Sequence, residues 1–587
     1  MCGIIGYTGT GDGERAAEVL IRGLRRLEYR GYDSAGIAVV DGGSMAVVKR
    51  AGRVDSIAPL AAGLVGNTGI AHTRWATHGR VTDENAHPHV SCDGRIAIVH
   101  NGIVENHAEL RSELESRGHA FKSETDSEVI AHLLEESLGG GRDPLEAALD
   151  VSGRLRGSFA FLAAGPALGD AILAVRRDSP LVIGFARGST FASSDVYGFI
   201  EWTDSAYFME NGSAALVKPG GIRAVLLDGT PMDVEPVKVA FEMATADATV
   251  YAHHTLREIM EQPEAVARSL SPRPDVDAAA EFLGSAGRIF VVGAGTSYHA
   301  AMVARYAFAD VAGVDVQPVL ASEHGLFSRW MGEGSAVVAV SQSGETADVL
   351  EAVRAARGRG ARVLAVVNVP HSTLERESDL SVNVRAGPEV GVAATKSFTA
   401  QLSTLFSIAL RMAGMPGLDA EAMRRLALGA LGAEGRVREA AGMLRNATDV
   451  YVVGRGIHYP MALEGALKVK ELAYVHAEGL AAGELKHGTL AMVEEGTPVI
   501  LINPGDGTYV DTISNGEEMK ARGALVVGIS ERPSDLYDVH VPIPEARGLE
   551  LPIVEAIPLQ LLAYHTALLR GAEIDRPRNL AKSVTVK

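Results

Sequence analysis

Three groups of residues have the types and spacing to do chemistry. The first is one cysteine: Cys2, in Met1-Cys2-Gly3-Ile4-Ile5-Gly6, is small enough to permit removal of the initiator methionine. Removal is expected to leave a thiol and a free α-amine on one residue. With ordinary pKa values of about 8.5 and about 8, these make a nucleophile with its own base attached. Position alone favours the plainer reading of a small buried side chain. The second group is a pair of strand-to-helix loops. Ser341-Gln342-Ser343-Gly344-Glu345-Thr346 offers the hydroxyls of Ser341, Ser343 and Thr346, and Thr296 and Ser297 follow Gly293-Ala294-Gly295. Hydroxyls and helix N-terminal N–H groups suit a phosphate; either loop alone is as readily a helix cap, but two at adjacent strand ends favour a phosphate site. The Gly293–Gly295 turn lacks the third spaced glycine of a dinucleotide fingerprint, so no nicotinamide cofactor is expected. The third group is Glu464, Lys468 and Glu471, spaced four and three apart on one helix face, followed by Glu484-Leu485-Lys486-His487-Gly488. A solvated salt-bridge stripe is the ordinary meaning of such spacing. Flanking Leu463, Leu467 and Leu472 point instead to a packed region, where a Glu and a His near a sugar phosphate would suit proton shuttling between carbons. His72, His78, His87 and His89 fit no closed ligand set, so no metal is expected from them.

The elements that must position these groups change character along the chain. Up to about Val237, short strands such as Ile37–Val40, Arg95–Val99 and Phe159–Leu162 alternate with Gly-rich turns and with helical patterns over 14–27, 106–117 and 126–137. This reads as a layered unit ending near residue 240. Tyr251 to Leu270 reads as a polar helix interrupted near Pro263. Beyond it, unmixed Val-rich runs at 289–292, 337–340 and 363–367 alternate with helices, the first of them from about His299 to Ala309, which signals a buried parallel sheet. The pattern then repeats. Val291, Val292, Gly293, Gly295, Tyr298 and Ala301 recur as Val452, Val453, Gly454, Gly456, Tyr459 and Ala462, and Val499–Ile502 and Leu525–Val527 follow. The Ser-rich loop, however, becomes Asn503-Pro504-Gly505-Asp506. If the copies share a site, the first supplies the hydroxyls.

The chain has 587 residues, enough for about three or four domains, with 47% hydrophobic and 22% charged residues. A net charge of −18 argues against broad binding to nucleic acid or anionic membrane. Two cysteines, Cys2 and Cys92, make no disulfide framework and fit a reducing, cytoplasmic setting. Neither a signal peptide nor an apolar run of membrane-spanning length is expected.

On longer stretches the sequence resembles known families over essentially its whole length. Met1–Gly6, Leu27-Glu28-Tyr29-Arg30-Gly31-Tyr32-Asp33-Ser34, His72-Thr73-Arg74-Trp75-Ala76-Thr77-His78-Gly79, His100-Asn101-Gly102 and Thr125-Asp126 resemble the class II, N-terminal-nucleophile glutamine amidotransferases. The second half resembles paired sugar-isomerase (SIS) domains and closes on Arg576-Pro577-Arg578-Asn579-Leu580-Ala581-Lys582-Ser583-Val584-Thr585-Val586. The resemblance implies an α/β chain. An αββα-layered glutaminase domain (1–238) and a linker (239–280) would precede two doubly wound parallel-sheet SIS subdomains (281–420 and 449–575). Helices at 421–448 would connect the two, and 576–587 would be an ordered tail. It also implies an enzyme that moves ammonia from L-glutamine to D-fructose 6-phosphate and isomerises the sugar to D-glucosamine 6-phosphate. A homodimer with an internal ammonia channel, and no cofactor, would go with it.

The implied roles are specific. Cys2 attacks the carboxamide; Asn101 and Gly102 form the oxyanion hole. Arg74 pairs with the α-carboxylate, Asp126 holds the α-ammonium, Thr77 and His78 shape the pocket, and Trp75 gates the channel. Thr296, Ser297, Ser341, Gln342, Ser343 and Thr346 hold phosphate and sugar hydroxyls, with backbone help from Val392 and Ala393. Lys582 forms a Schiff base, Glu471 moves the proton with support from Lys468, and His487, of the same or a neighbouring subunit, opens the ring. Ala394 stands where the family pattern has serine, and Thr489 where it has proline.

Overall fold

A computed structural model of the chain describes residues 2–11, 14–239 and 251–585. They fall into two compact units, Met1–Phe241 with Val584–Lys587, and Glu242–Ser583. The boundary expected near residue 240 abuts the stretch 240–250, outside the described residues.

The first unit is built on two antiparallel sheets. One runs, edge to edge, Val237–Lys238, Ser205–Phe208, Val182–Ala186, Ser189–Ser193, Gly3–Gly9, Thr68–Arg74, Ser34–Asp41 and Ser44–Ala51. The other runs Pro231–Met232, Gly221–Leu226, Ser213–Lys218, Ile172–Arg177, Phe159–Ala164, Ala97–Gly102 and His89–Val90. Ile4, Ile70, Val99, Leu162 and Ile172 fill the layer between the sheets. The helix Ala16–Leu27 closes the outer face of the first sheet, and the helices His107–Ser116, Glu128–Gly139 and Pro144–Arg154 close that of the second. The αββα order explains a feature of the sequence: Gly3–Gly9 and Phe159–Ala164 are buried at every position, so neither strand shows the apolar–polar alternation of a half-exposed sheet.

The second unit holds two five-stranded parallel sheets of identical order. The first runs Val316–Leu320, Arg288–Gly293, Ser335–Ser341, Arg362–Val367, Leu380–Asn383; the second runs His476–Ala481, Asp449–Gly454, Pro498–Ile502, Leu525–Ser530, Val539–Pro542. In each, connections from the two central strands leave in opposite directions, and the crevice between them is where open α/β sheets take ligands. The helix expected from His299 begins at Thr296, because its hydroxyl-bearing first turn carries no apolar periodicity. The pattern interrupted near Pro263 is two helices, His254–Met260 and Gln262–Leu270, with Pro263 in the first turn of the second.

One helix meets the length and composition of a membrane span without being an uninterrupted apolar run. The helix Glu550–Leu569 is long and apolar enough to span a membrane, but its apolar window is 94% buried inside the unit. It carries Glu555, Gln560 and His565 along its length and packs against the helix His458–Ala473. Burial on all sides, rather than lipid, is the reason for its composition.

Candidate active sites

In the first unit, the start of one strand, the ends of two others and the lead-in to a helix converge. Cys2 precedes Gly3–Gly9, Arg74 ends Thr68–Arg74, Asn101 and Gly102 end Ala97–Gly102, and Asp126 lies just ahead of Glu128–Gly139. Cys2, Arg74, Trp75, Thr77, His78, Gly102 and Asp126 line one pocket. The Trp75 N–H donates to Cys2 Sγ at 3.1 Å. Burial raises the Cys2 thiol pKa, and the Trp75 hydrogen bond and the Arg74 charge oppose that rise.

Asn101 sits beside the pocket with its Nδ2 donating to the Cys2 carbonyl at 2.9 Å. Its orientation is fixed from behind by a residue to which the sequence assigns no role. His72 Nε2 lies 2.9 Å from the His100 carbonyl and 3.2 Å from Asn101 Oδ1, so it must carry the proton and donate to both. Burial drives the His72 pKa down to about 3, which keeps that ring neutral. Gly102 has φ +120°, and a Cβ there would lie 2.0 Å from the Ser158 carbonyl oxygen, so no other residue fits.

Asp126 is buried, with Oδ2 accepting the Val104 N–H at 2.8 Å. Arg74 braces the adjacent loop, donating to the carbonyls of His78, Gly79 and Arg80. Thr77 is exposed, and its Oγ1 lies 3.3 Å from His78 Nδ1. Trp75 stands edge-on to Tyr32 at 5.8 Å between centroids. His72, His87 and His89 form a buried stack with centroids 4.1 and 4.4 Å apart, all with pKa values lowered by burial. Also unassigned by sequence is a buried tie: Arg30 and Tyr29 both donate to Asp195 Oδ2, at 2.5 and 2.9 Å.

In the second unit, the helix His458–Ala473 carries Glu464, Lys468 and Glu471, and Lys468 is fully buried, which removes the reading of a solvated stripe. Lys468 Nζ donates to Glu471 Oε2 at 2.5 Å and to Thr296 Oγ1 at 3.0 Å. Thr296 in turn donates to Glu464 Oε1 at 3.0 Å, and His299 Nδ1 lies 2.7 Å from Glu464 Oε2. Burial works against the Lys468 charge, but Glu464 and Glu471 raise its pKa overall. Ser297 accepts from Gln401 Nε2 at 3.0 Å.

The Ser-rich loop turns on itself. Ser341 Oγ accepts the Gly344 N–H at 3.0 Å and lies 3.3 Å from Thr346 Oγ1. Gly344 has φ +67°, and a Cβ there would lie 2.1 Å from Ser372 Oγ. The Gln342 carbonyl accepts from Asn368 and Val369. Ser343 Oγ is 2.7 Å from Ser583 Oγ, which brings the C-terminal tail to this loop.

The neighbouring Lys582 has its side chain only 4% exposed, donating to Glu389 Oε2 at 2.5 Å and to the Gly391 carbonyl at 2.7 Å. Glu389, which holds Lys582, and Glu258 beside it are residues that sequence reasoning missed. Burial opposes ionisation of Glu389, but Lys582 and Ser397 hold its pKa down to about 2. Glu258 accepts the Val390 and Gly391 N–H groups, and burial followed by the charge on Glu389 pushes its pKa up to about 7. The tail is anchored further by Asp575, which accepts the N–H groups of His254 and Thr255.

Further expected residues have these surroundings. Val392 and Ala393 are buried here, but the Val392 N–H is committed to the Asp575 carbonyl. His487 is exposed at the end of a short 3-10 segment and stands outside the Lys468–Glu471 and Lys582–Glu389 clusters; in its segment, Ala482 and Leu485 are the buried residues.

In the second copy of the fold, the corresponding crevice is bridged by protein. His458 is buried between Asp506 Oδ2 at 2.9 Å and Glu555 Oε1 at 2.8 Å. Burial opposes its charge, but the two carboxylates raise its pKa to about 10.

Comparison with known proteins gives a consistent picture. A glutamine amidotransferase domain model matches residues 72–198, and an SIS domain model matches residues 282–411 and 443–570. The glutamine–fructose-6-phosphate aminotransferase (isomerizing) of Thermococcus kodakarensis is 45% identical over 607 aligned residues, covering 100% of both chains. The enzyme of that name from Streptomyces coelicolor is 43% identical, also with 100% of each chain covered. Among solved structures, the C-terminal domain of glucosamine-fructose-6-phosphate aminotransferase from Francisella tularensis aligns with a TM-score of 0.53 and 35% identity, covering 56% of this chain and 100% of that one.

Proposed function

This chain belongs to the family of isomerizing glutamine–fructose-6-phosphate aminotransferases. On that basis we propose that Cys2 takes the amide nitrogen from L-glutamine and that Lys582, Glu471 and Lys468 place it on D-fructose 6-phosphate. The observation that carries the reading is the single pocket in which the Cys2 thiol meets Arg74 and Asp126. A guanidinium and a carboxylate flanking a nucleophile match the α-carboxylate and α-ammonium of a free amino acid.

In the first half-reaction the Cys2 thiolate adds to the carboxamide carbon, its proton passing to the α-amine exposed by removal of Met1. Asn101 has two side-chain N–H donors. One holds the Cys2 carbonyl, and the other, with the Gly102 N–H, receives the oxyanion. Ammonia leaves, and water releases L-glutamate from the thioester. The thiol works only when reduced, which fits a cytoplasmic enzyme.

In the second half-reaction the sugar phosphate lies in the crevice between the Ser341–Thr346 loop and Thr296. Its phosphate draws on the hydroxyls of Ser341, Ser343 and Thr346 and on the N–H groups ahead of the helix Ala347–Arg357. Ser297, Gln342, Val392 and Ala393 line the remainder. Lys582 passes a proton to Glu389 and condenses with the C2 ketone, releasing water; ammonia then displaces the lysine. Glu471, positioned by Lys468, removes the C1 proton and returns it at C2, leaving an aldehyde and an amine. The exposure of His487 suits service to the site of a second copy, so the working unit is a homodimer. Ammonia is a nucleophile only while unprotonated, so it travels by a closed route gated at Trp75.

The test uses amide-labelled glutamine with fructose 6-phosphate. Label is expected in glucosamine 6-phosphate; label found only as free ammonia would reject the transfer.

A further inference from the structure

We propose that Cys92, His119, His132 and Glu135, which play no part in the chemistry above, form a tetrahedral zinc site in the N-terminal unit. Their ligand atoms all lie within 4.8 Å of one another. Cys92 Sγ is 3.6 Å from His132 Nδ1, His132 Nδ1 is 3.4 Å from Glu135 Oε2, and His119 Nδ1 is 3.3 Å from the same oxygen. A tetrahedron with Zn–S of about 2.3 Å and Zn–N or Zn–O of about 2.0–2.1 Å has edges of about 3.6 Å from sulfur to nitrogen and about 3.3–3.4 Å from nitrogen to oxygen. The three edges match that geometry. Thiolate plus carboxylate also neutralise a divalent cation, and sulfur with imidazole selects zinc over magnesium or calcium.

The surroundings prepare each group for a metal. Both imidazoles turn Nδ1 inward and Nε2 toward a carboxylate: His119 Nε2 is 3.3 Å from Glu136 Oε1, and His132 Nε2 is 3.7 Å from Glu128 Oε1. At His119 a proton held on Nε2 by the Glu136 carboxylate leaves the Nδ1 lone pair free, which is how metal-binding histidines are oriented; the His132–Glu128 separation is longer than a hydrogen bond. His119 Nδ1 is buried without a hydrogen-bond partner. The Ala120 N–H lies 3.3 Å from Cys92 Sγ. Glu135 is held by the N–H groups of Cys92 and Asp93 at 3.0 and 2.8 Å. Cys92 itself is exposed, which gives the ion a way in.

The ligands come from three segments, which is why no spaced signature announced them. Cys92 lies in the turn between His89–Val90 and Ala97–Gly102, His119 follows His107–Ser116, and His132 and Glu135 share the helix Glu128–Gly139. Zinc would therefore tie the strand that ends at Asn101 and Gly102 to the helix that begins just after Asp126. Its role is structural, since four protein ligands fill the tetrahedron.

The test is cobalt and zinc binding by the full-length chain carrying Cys2→Ala, in which Cys92 is the one remaining cysteine. A single zinc per chain retained through desalting is expected, and cobalt is expected to give intense visible bands and a thiolate-to-cobalt charge-transfer band. Adding Cys92→Ala should abolish that band, and Glu136→Gln should weaken affinity about 10–100-fold. Absence of retained zinc and of the band in the Cys2→Ala protein, which needs no change at the site itself, would overturn the proposal. So would metal and band that survive Cys92→Ala.

Discussion

At the scale of single residues, charges enclosed with their partners are the main finding that sequence does not announce. His458 sits between two carboxylates and keeps its proton far above the ordinary imidazole range. Its pKa is about 6.5 in an unfolded chain and about 10 when folded, so its contribution to stability is complete below about pH 6.5 and fades as pH rises through 10. His458→Gln is expected to cost about 3–5 kcal/mol near pH 6, because it strands the buried Glu555 carboxylate. The difference from wild type should shrink steadily toward pH 10 in urea titrations. A pH-independent difference would show that packing, and not charge, is what the residue supplies. His72 is neutral rather than charged but equally hidden: it is legible as a residue, while its service to Asn101 depends on a register, Ile4 against His72, that joins strands far apart in sequence.

At the scale of elements, apolar runs and glycine turns carried most of the fold. The Val-rich strands, the repeat and the helices of both units were readable because unmixed hydrophobic runs mean burial on both faces. What stayed hidden was three-dimensional company. Glu258 and Glu389 lie in unremarkable polar contexts: Glu258 meets Val390 and Gly391, and Glu389 meets Lys582 only when the tail folds back to it. Exposure of His487 was likewise unreadable, since the Leu485 beside it is buried. Gly102 joins sequence to geometry most tightly. Gly102→Ala would force a side chain into the Ser158 carbonyl at a positive φ, so a glutaminase loss of at least about a hundredfold is expected, as when an oxyanion-hole donor is removed. Sugar isomerisation should be unchanged; a parallel fall in both activities would point to unfolding of the whole chain.

At the scale of the molecule, two chemistries sit on separately folded units, each with its own core. Cys2→Ala is therefore expected to abolish glutamine hydrolysis while leaving interconversion of fructose 6-phosphate and glucose 6-phosphate intact. Lys582→Ala should do the reverse, hydrolysing glutamine without forming amino sugar. Coupled assays on both variants check this, and loss of both activities in either one would deny separable sites. Most of the candidate residues were legible because they stand in long stretches that resemble a known family, while their ordering partners were not, because pairing across a sheet or a tail leaves no local pattern.

The Asp506–His458 bridge in the second parallel sheet has a consequence for how the molecule responds to substrate. In one half of the duplicated fold a carboxylate of the polypeptide, Asp506, is bonded to His458 at the crevice; in the other half the Ser341 hydroxyl holds only its own loop, and it is there that the proposed function puts the sugar's phosphate. The duplication thus pairs a fixed reference surface with an adjustable one, and slowing of amide exchange on sugar-phosphate binding belongs to the loops after Gly293 and Ser341, not to those after Gly454 and Ile502.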